Sequence, residues 1–209
     1  MDTPQIRIFL VRHGQTEWNR THRFQGRSDV PLNEKGRNQA RALAGALAGQ
    51  SFTAIYASPL KRAVETARLA TKYHPPIPFY TEDDFMEMAL GDFEGVYGAD
   101  WIKQYPDFLE AWQKNPATVQ MPGGECLKEV QTRALKALNR IIATHPPETT
   151  LMICSHNFVI LSILCHAMGI SLDHFRELKQ ATAAYSVICK DEDGFSTEAV
   201  NVRDHLDSA

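Results

Sequence analysis

Arg12 and His13 place a guanidinium beside an imidazole near the start of the chain, within the segment Leu10 to Asn19 (LVRHGQTEWN). An arginine presents a planar fork of N–H donors that matches a phosphate group, and a neutral imidazole is a nucleophile. The pair follows an apolar run and precedes Gly14, as at the end of a strand. These residue types suit phosphoryl transfer. A lone Arg-His pair is more often a surface pair, however, so other parts of the sequence are needed to distinguish a surface pair from a catalytic site.

Three short apolar runs each stop at a polar cluster. The runs are Ile6 to Val11, Phe52 to Ala57 and Leu151 to Cys154, and they stop at Arg12-His13, Ser58-Pro59 and Ser155-His156. Continuous rather than alternating hydrophobicity predicts buried parallel strands. Ligands bind at the carboxyl ends of such strands, so we expect the three clusters to meet at one edge of a sheet.

Helical patterns are interleaved with these strands. They run from a cap at Asn33 to about Gly49, from Ser58 with Pro59 at the first helical position to about Tyr73, from about Glu125 to His145, and from about Phe158 to Met168. Two late strands, Ala184 to Lys190 and Phe195 to Val200, are predicted around a turn at residues 191–194. The alternation predicts an α/β fold, a three-layer α/β/α sandwich with a mostly parallel central sheet.

The composition fits one domain. The chain has 209 residues, of which 44% are hydrophobic, and this is enough for a single core over residues 1–209. From Pro75 to Pro122 the pattern weakens, so we expect an excursion over the site rather than a second domain. Within it, aromatic residues recur at helical spacing and predict a core stripe: Trp101, Tyr105, Phe108 and Trp112.

The net charge and the positions of the cysteines limit which partners and metal sites are expected. A net charge of −3 argues against binding to nucleic acid or to an anionic membrane surface. The apolar run near the N-terminus is short and lies between Arg7 and Arg12, unlike a signal peptide, and no stretch of about 18 uncharged apolar residues follows, so we expect a cytoplasmic protein. The cysteines form no CxxC pair, so we expect neither a disulfide scaffold nor a zinc site. The oligomeric state stays open.

The motifs along the chain, taken in order, resemble those of the histidine phosphatase superfamily, which also includes the cofactor-dependent phosphoglycerate mutases. The matching segments are Leu10 to Asn19, Arg23 to Gly26, Asp29 to Ala40, Ser58 to Ala67, Met86 to Gly95, Pro122 to Glu125 and Ser155 to Asn157. The match is with the phosphatase branch of a phosphoglycerate mutase-like fold. It implies a metal-independent hydrolase that acts on a small phosphomonoester.

The resemblance also implies roles for individual residues. His13 would take up the phosphoryl group as a phosphohistidine, while Arg12, Arg62 and His156 surround its three non-bridging oxygens. The implied substrate-binding set is completed by Asn19, Gln25, Gly26 and Asn157. Physically, the two arginines help because like charges disfavour the imidazolium form of His13. A plain i,i+3 pairing of Arg62 with Glu65 is the competing interpretation of that helix. The other six histidines are expected to be surface or core residues.

Glu87 is the candidate general acid. An alkoxide that leaves a phosphate ester must receive a proton, and the same carboxylate can then activate water. Only the spacing to Gly91 and Glu94-Gly95 selects Glu87, because several acidic residues surround it and a solvated acidic face is the alternative. Asp84 and Glu94 are the next candidates.

A phosphatase is favoured over a mutase because no arginine occurs between Arg68 and Arg133, so few cations are expected over the site and the leaving group should carry little extra negative charge. A phosphoglycerate mutase stays open as an alternative, as does a weakly catalytic regulator that binds a phosphorylated ligand. Two positions depart from the family pattern. Asn157 replaces the usual Gly after the second histidine, and Cys126 replaces Ser or Thr. The side chain of Asn157 could narrow the pocket, donate to the phosphate, or accompany a degraded catalyst.

Overall fold

A computed structural model describes residues 5–207. The ends of the predicted domain, residues 1–4 and 208–209, lie outside the described residues. The centre is a six-stranded sheet with the order β3-β2-β4-β1-β5-β6. Its strands are β1 (Ile6–Arg12), β2 (Ala54–Ala57), β3 (Phe79–Thr81), β4 (Thr150–Ser155), β5 (Tyr185–Lys190) and β6 (Phe195–Val202). β1 to β4 are parallel to one another, and β5 is antiparallel to both β1 and β6. The mostly parallel α/β fold predicted from the sequence is confirmed.

Seven helices accompany the sheet within the described residues. They are α1 (Glu17–Arg20), α2 (Glu34–Leu47), α3 (Lys61–Ala70), α4 (Gly98–Gln104), α5 (Pro106–Lys114), α6 (Leu127–Ile142) and α7 (Asn157–Ala167), with short 3-10 turns at Asp83–Phe85, Gly91–Phe93, Leu172–Glu177 and Asp204–Leu206. None of the described helices is long and apolar enough to cross a bilayer.

The central strand β1 separates two hydrophobic cores. Successive side chains of a strand point to opposite faces of a sheet. Ile8 and Leu10 therefore pack with residues of α6 and α7, whereas Phe9 and Val11 pack with residues of α2 and α3. This alternation places helices on both faces and makes three layers. It also explains why the run was apolar without a period of two, since both faces are buried.

The register of the parallel strands brings the predicted polar clusters to one edge. Arg12 pairs with Ser155, and Ala57 pairs with Cys154. His13, Ser58 and His156, which each follow one of these strand ends, therefore lie at the same carboxyl edge of the sheet.

Two local elements differ from the sequence-based prediction. The third helix begins at Lys61 with Leu60 as its N-cap, so Ser58 does not cap it as predicted. Residues 79–81 form an edge strand that was not predicted, because prolines precede these three residues. The aromatic stripe lies on two helices, since α5 starts anew at Pro106. Its ends Trp101 and Trp112 are buried as predicted, but Tyr105 is 40% exposed, so the prediction of a core residue is wrong at that position.

The four cysteines are free and buried: Cys126, Cys154, Cys165 and Cys189. Burial raises the pKa of the Cys165 thiol to about 11 and raises the pKa values of Cys154 and Cys189 above their usual 9.0. At neutral pH these three side chains are thiols, so they act as small apolar groups of the core.

Candidate active site

His13 is fixed at the end of β1 and is only 2% exposed. Its main-chain N–H donates to the Ser155 carbonyl at 3.1 Å, which ties it to the end of β4. The ring nitrogen Nδ1 lies 2.7 Å from the carbonyl oxygen of Gly14. A carbonyl can only accept, so this contact assigns the proton to Nδ1 and leaves the lone pair on Nε2. Nε2 is therefore the nitrogen that can attack an electrophile.

The charge state of His13 suits a nucleophile. Burial lowers its pKa well below the usual 6.5, and the guanidiniums of Arg62 and Arg12 lower this pKa further. The hydrogen bond to Gly14 opposes the shift. The imidazole consequently stays neutral at physiological pH, and the neutral form is the one that attacks phosphorus.

Arg62 lies in the first turn of α3 and has no exposed surface. Its Nη1 donates to the Ser28 carbonyl at 2.7 Å, its Nη2 to the Gly26 carbonyl at 2.8 Å, and its Nε to Nδ1 of His156 at 3.3 Å. Burial lowers the pKa of Arg62 to about 10, so the group keeps its charge at neutral pH. Two of its five N–H groups remain for an anion.

The competing pairing of Arg62 with Glu65 is not formed. The Glu65 carboxylate instead accepts from Nε of Arg37 on α2 at 2.7 Å. Arg62 is thus turned toward the strand ends rather than along its own helix.

His156 is fully buried between Arg62 and Ser58. Because Nδ1 accepts from Arg62, Nε2 carries the proton and donates to Oγ of Ser58 at 2.8 Å. Burial lowers the pKa of His156 well below 6.5, and Arg62 lowers it further. Its ring centre lies 5.1 Å from that of His13, so the structure brings the two histidines together. Both ring nitrogens of His156 are engaged, and contact with a phosphoryl oxygen requires that one of these bonds be exchanged.

Ser58 was missed as a site residue. It was interpreted as a helix cap, yet it is fully buried and orients the ring of His156. The signal that could have identified it is its place at a strand end, which matches the places of His13 and His156.

Arg12 is anchored by the segment that precedes β5. Its Nη1 donates to the main-chain carbonyl of Gln180, and its own main-chain N–H donates to the Ala184 carbonyl at 3.0 Å. Its Nε is buried and has no partner among residues 5–207. The side chain of Gln180 donates to the Ala184 carbonyl and accepts from Ser186, so it holds this segment in place. Gln180 was not identified from the sequence.

Glu87 is 8% exposed and lies next to the start of α7. Its Oε1 accepts from the main-chain N–H of Met88 at 2.9 Å and from that of Phe158 at 3.2 Å. Burial raises the pKa of Glu87 above its usual 4.5, against the lowering effects of the Met88 N–H and of Arg62 and Arg12. A carboxyl that keeps its proton at higher pH is better suited to act as an acid.

A set of ion pairs supports the main chain of Glu87. The carboxylate of Glu125 binds Arg133 at 2.8 Å and Arg27 at 3.1 Å, and it accepts from the N–H of Ala89 at 2.8 Å. Arg133 in turn donates to the Glu87 carbonyl at 3.1 Å. We call Glu125, Arg133 and Arg27 the clamp. Their cooperation was not predicted, since it joins three distant parts of the chain.

The two alternative acids face elsewhere. The carboxylate of Glu94 accepts the N–H groups of Arg27 and Ser28, both at 2.8 Å, and so anchors that loop. Asp84 lies 3.8 Å from Arg140 at the surface. Of the three acidic candidates, Glu87 is the one whose carboxylate contacts the start of the helix that follows His156, and burial raises its pKa.

Asn19 and Gln25 are linked through Thr16. Asn19 accepts from the N–H and the hydroxyl of Thr16, both at 3.1 Å, and its own N–H donates back to that hydroxyl. Thr16 also lies within hydrogen-bond distance of Oε1 of Gln25. The amide Nδ2 of Asn19 has no hydrogen bond to another described residue, so this neutral donor is available to a ligand.

Gly26 contributes its main chain. It has a φ of +51°, which favours glycine, and a Cβ there would displace the Glu94 carboxylate that anchors this loop. Its carbonyl holds Arg62. Asn157 is the first residue of α7 and is half-buried, and Cys126 is the N-cap of α6, where its N–H donates to Glu129.

The assembled group has the features of a site for a tetrahedral anion. One buried and one partly buried guanidinium, two neutral imidazoles and a protonatable carboxyl converge at the carboxyl edge of a parallel sheet. Within residues 5–207, no three His, Cys, Asp or Glu side chains are grouped so as to hold a metal ion. Cationic donors of this kind bind an anion directly.

Comparisons with known proteins agree with this geometry. A family model described as "Histidine phosphatase superfamily (branch 1)" matches residues 8–203. "Phosphoserine phosphatase 1" of Hydrogenobacter thermophilus is 31% identical over 96% of this chain and 94% of its own length. "Uncharacterized phosphatase PhoE" of Bacillus subtilis is 31% identical over 95% of this chain and 96% of its own length. The solved structure "Bacillus stearothermophilus YhfR" superimposes with a TM-score of 0.90 at 30% identity, over 96% of this chain and 99% of that one.

Proposed function

The chain belongs to branch 1 of the histidine phosphatase superfamily, and on that premise we propose that it hydrolyses small phosphomonoesters without a metal ion, through a phosphohistidine at His13. One observation carries the proposal. The Nδ1–H of His13 is held by the Gly14 carbonyl, so that a neutral Nε2 lies among cations.

In the first half of the reaction, Nε2 of His13 attacks phosphorus and the bond from phosphorus to the ester oxygen breaks. Arg12 and Arg62 stabilise the negative charge on the three equatorial oxygens. The departing alkoxide takes the proton of Glu87 and leaves as an alcohol. The products of this step are a phosphohistidine and a Glu87 carboxylate.

In the second half, water attacks the phosphohistidine. The carboxylate of Glu87 accepts a proton from that water while the bond between phosphorus and Nε2 breaks. Inorganic phosphate leaves, and both His13 and Glu87 return to their starting forms. We propose that residues 75–122, which carry Glu87, cover this site.

The two alternatives lead to different products. A mutase would return the phosphoryl group to a second hydroxyl of a bound sugar acid, whereas a regulator would only bind. The buried Glu87 with its raised pKa favours turnover over binding, since an anion pocket needs no carboxyl. The relatives whose names specify phosphatases favour water as the acceptor.

The test is direct detection of the intermediate. The enzyme is mixed with p-nitrophenyl phosphate in the presence of EDTA, quenched under alkaline conditions and weighed intact by mass spectrometry. We expect one acid-labile phosphoryl group on the wild type and none on His13→Ala. His166→Ala, which changes an exposed histidine on α7, should be labelled like the wild type. Full labelling of His13→Ala, or activity that needs an added divalent ion, would reject the proposal.

A further inference from the structure

A cleft of about 410 Å³ lies beside Asn157 and is lined by cationic and amide side chains. Its charged residues come from two segments, Arg176 and Lys179 from the stretch before β5 and Arg203 from the residue after β6. The remaining lining residues are neutral: Leu161, Phe175, Leu178, Gln180, Ala181 and Asn201.

The three cations are not neutralised by carboxylates. Within residues 5–207, none of them lies in an ion pair with Asp or Glu. The nearest acidic neighbour in sequence, Glu177, is bonded to His174 at 2.8 Å. All three cations are exposed, so they are free to meet a ligand that enters the cleft.

The cleft shares a wall with the candidate active site. Asn157 directly follows His156, so their Cα atoms are about 3.8 Å apart. On the other side, the main-chain carbonyl of Gln180 accepts from Arg12. Through Asn157 and Gln180 the cleft thus adjoins two residues of the candidate site, His156 and Arg12.

Arg176 is held in a defined orientation. Its guanidinium lies 4.8 Å from the ring centre of Phe175 and 5.4 Å from that of Trp112, and it donates to the Trp112 carbonyl at 3.2 Å. A planar guanidinium stacked on aromatic rings is preorganised, so it loses less freedom when it binds a carboxylate or phosphate.

We propose that this cleft binds a second anionic group, carried by the leaving group of the phosphomonoester. This inference rests on the proposed hydrolysis at His13. The proposal replaces the expectation that the leaving group carries little charge. That expectation was based only on the absence of arginine between Arg68 and Arg133. The cations of the cleft come from residues 176–203, which fold back beside His156.

A matched pair of substrates tests the cleft. 3-Phosphoglycerate and glycerol 3-phosphate differ by a carboxylate in place of a hydroxymethyl group, and glycerol 1,3-bisphosphate carries a phosphorylated hydroxymethyl group at the same position. In the double variant Lys179→Gln/Arg203→Gln, we expect kcat/KM for 3-phosphoglycerate to fall about tenfold, as for a lost bond to a charged group. The value for glycerol 3-phosphate should stay unchanged. A larger fall for the bisphosphate would identify phosphate as the preferred second anion.

The control is Lys35→Gln/Lys136→Gln, which removes the same charge from exposed lysines outside the cleft. It should leave both substrates unchanged. Equal kcat/KM for both esters with no effect of the cleft variant would overturn the inference while hydrolysis stands. If neither ester nor p-nitrophenyl phosphate is hydrolysed, the proposed function fails. Calorimetric binding of 3-phosphoglycerate against glycerol 3-phosphate then still decides whether the cleft binds the carboxylate.

Discussion

The two sides of the candidate active site are built in different ways. The phosphoryl side consists of His13, Arg12, Arg62 and His156, and main-chain atoms fix most of it. His13 is bonded to two carbonyls, and Arg62 donates to two more. The proton side consists of Glu87, which lies outside regular secondary structure and depends on the clamp.

This difference separates two requirements of phosphoryl transfer. The charge on the transferring phosphoryl group must be stabilised by groups that do not have to move during the reaction. Side chains and N–H groups that are held in place at the strand ends meet that requirement. A proton must move to the leaving group and later from water, and a side chain on a loop held by ion pairs can shift between the two. The comparison predicts that variants of the two sides differ in their dependence on the leaving group.

Glu87→Gln should have the largest effect. For an alkyl phosphate, formation of the phosphoenzyme should slow by about 10²- to 10⁴-fold, the usual contribution of a positioned general acid. With p-nitrophenyl phosphate it should slow much less, because p-nitrophenolate leaves without a proton. Single-turnover phosphorylation measures this step apart from the attack of water. An equal loss with both esters would show that Glu87 is not the acid.

Glu125→Gln should act through Glu87. Loss of the clamp lets the carboxyl move, and a misplacement of about 1 Å costs up to about 10²-fold. Phosphorylation by the alkyl ester should fall, while phosphorylation by p-nitrophenyl phosphate should stay near the wild-type rate. Glu110→Gln, which breaks an exposed pair with Lys114, is the control and should change neither rate. A parallel loss with both esters would place Glu125 on the phosphoryl side.

The two sides should produce opposite limbs of the pH profile of kcat/KM, one acid and one alkaline. The pKa of His13 is lowered, so the neutral nucleophile persists below pH 6.5 and the acid limb of kcat/KM lies there. The pKa of Glu87 is raised, so its acid form persists above pH 4.5 and is lost as pH rises further. Each limb should change about tenfold per pH unit. In Glu87→Gln the alkaline limb for an alkyl ester should vanish and the acid limb should remain. An unchanged alkaline limb would contradict the assignment.

Ser58→Ala should have the smallest effect. It removes the acceptor that orients His156, and the loss of one hydrogen bond corresponds to about a fivefold change. Because Ser58 serves the phosphoryl side, alkyl and aryl esters should slow equally. Ser51→Ala, at an exposed position, should leave both rates unchanged. If the rate fell only for the alkyl ester, Ser58 would act on proton transfer, and the proposed division of the site into two sides would be wrong.

Most of the fold could be predicted from the sequence, because the sequence patterns that mark its strands and helices are local. Continuous apolar runs mark strands buried on both faces, and β1, β2 and β4 appeared in this way. The edge strand at residues 79–81 was missed, because it is only three residues long and prolines precede it. The start of α3 was placed too early, because Ser58 bonds to a histidine distant in sequence.

The residues proposed for the chemistry were predicted by type and motif, but their supports were not. Gln180 and the clamp act through contacts between segments far apart in the chain, and no local pattern encodes such contacts. The cations of the cleft were missed for the same reason. Arg176, Lys179 and Arg203 line the cleft from segments that belong to none of the matching motifs.

Burial should protect the cysteine thiols of this protein from oxidation. Peroxides react with thiolates, so protonated cysteines without access to solvent react slowly. Cys154, with its raised pKa, lies only two residues before His156, yet it faces the core of α2 and α3. The nucleophile proposed for this site is an imidazole, so the proposed reaction needs no thiolate that a peroxide could oxidise.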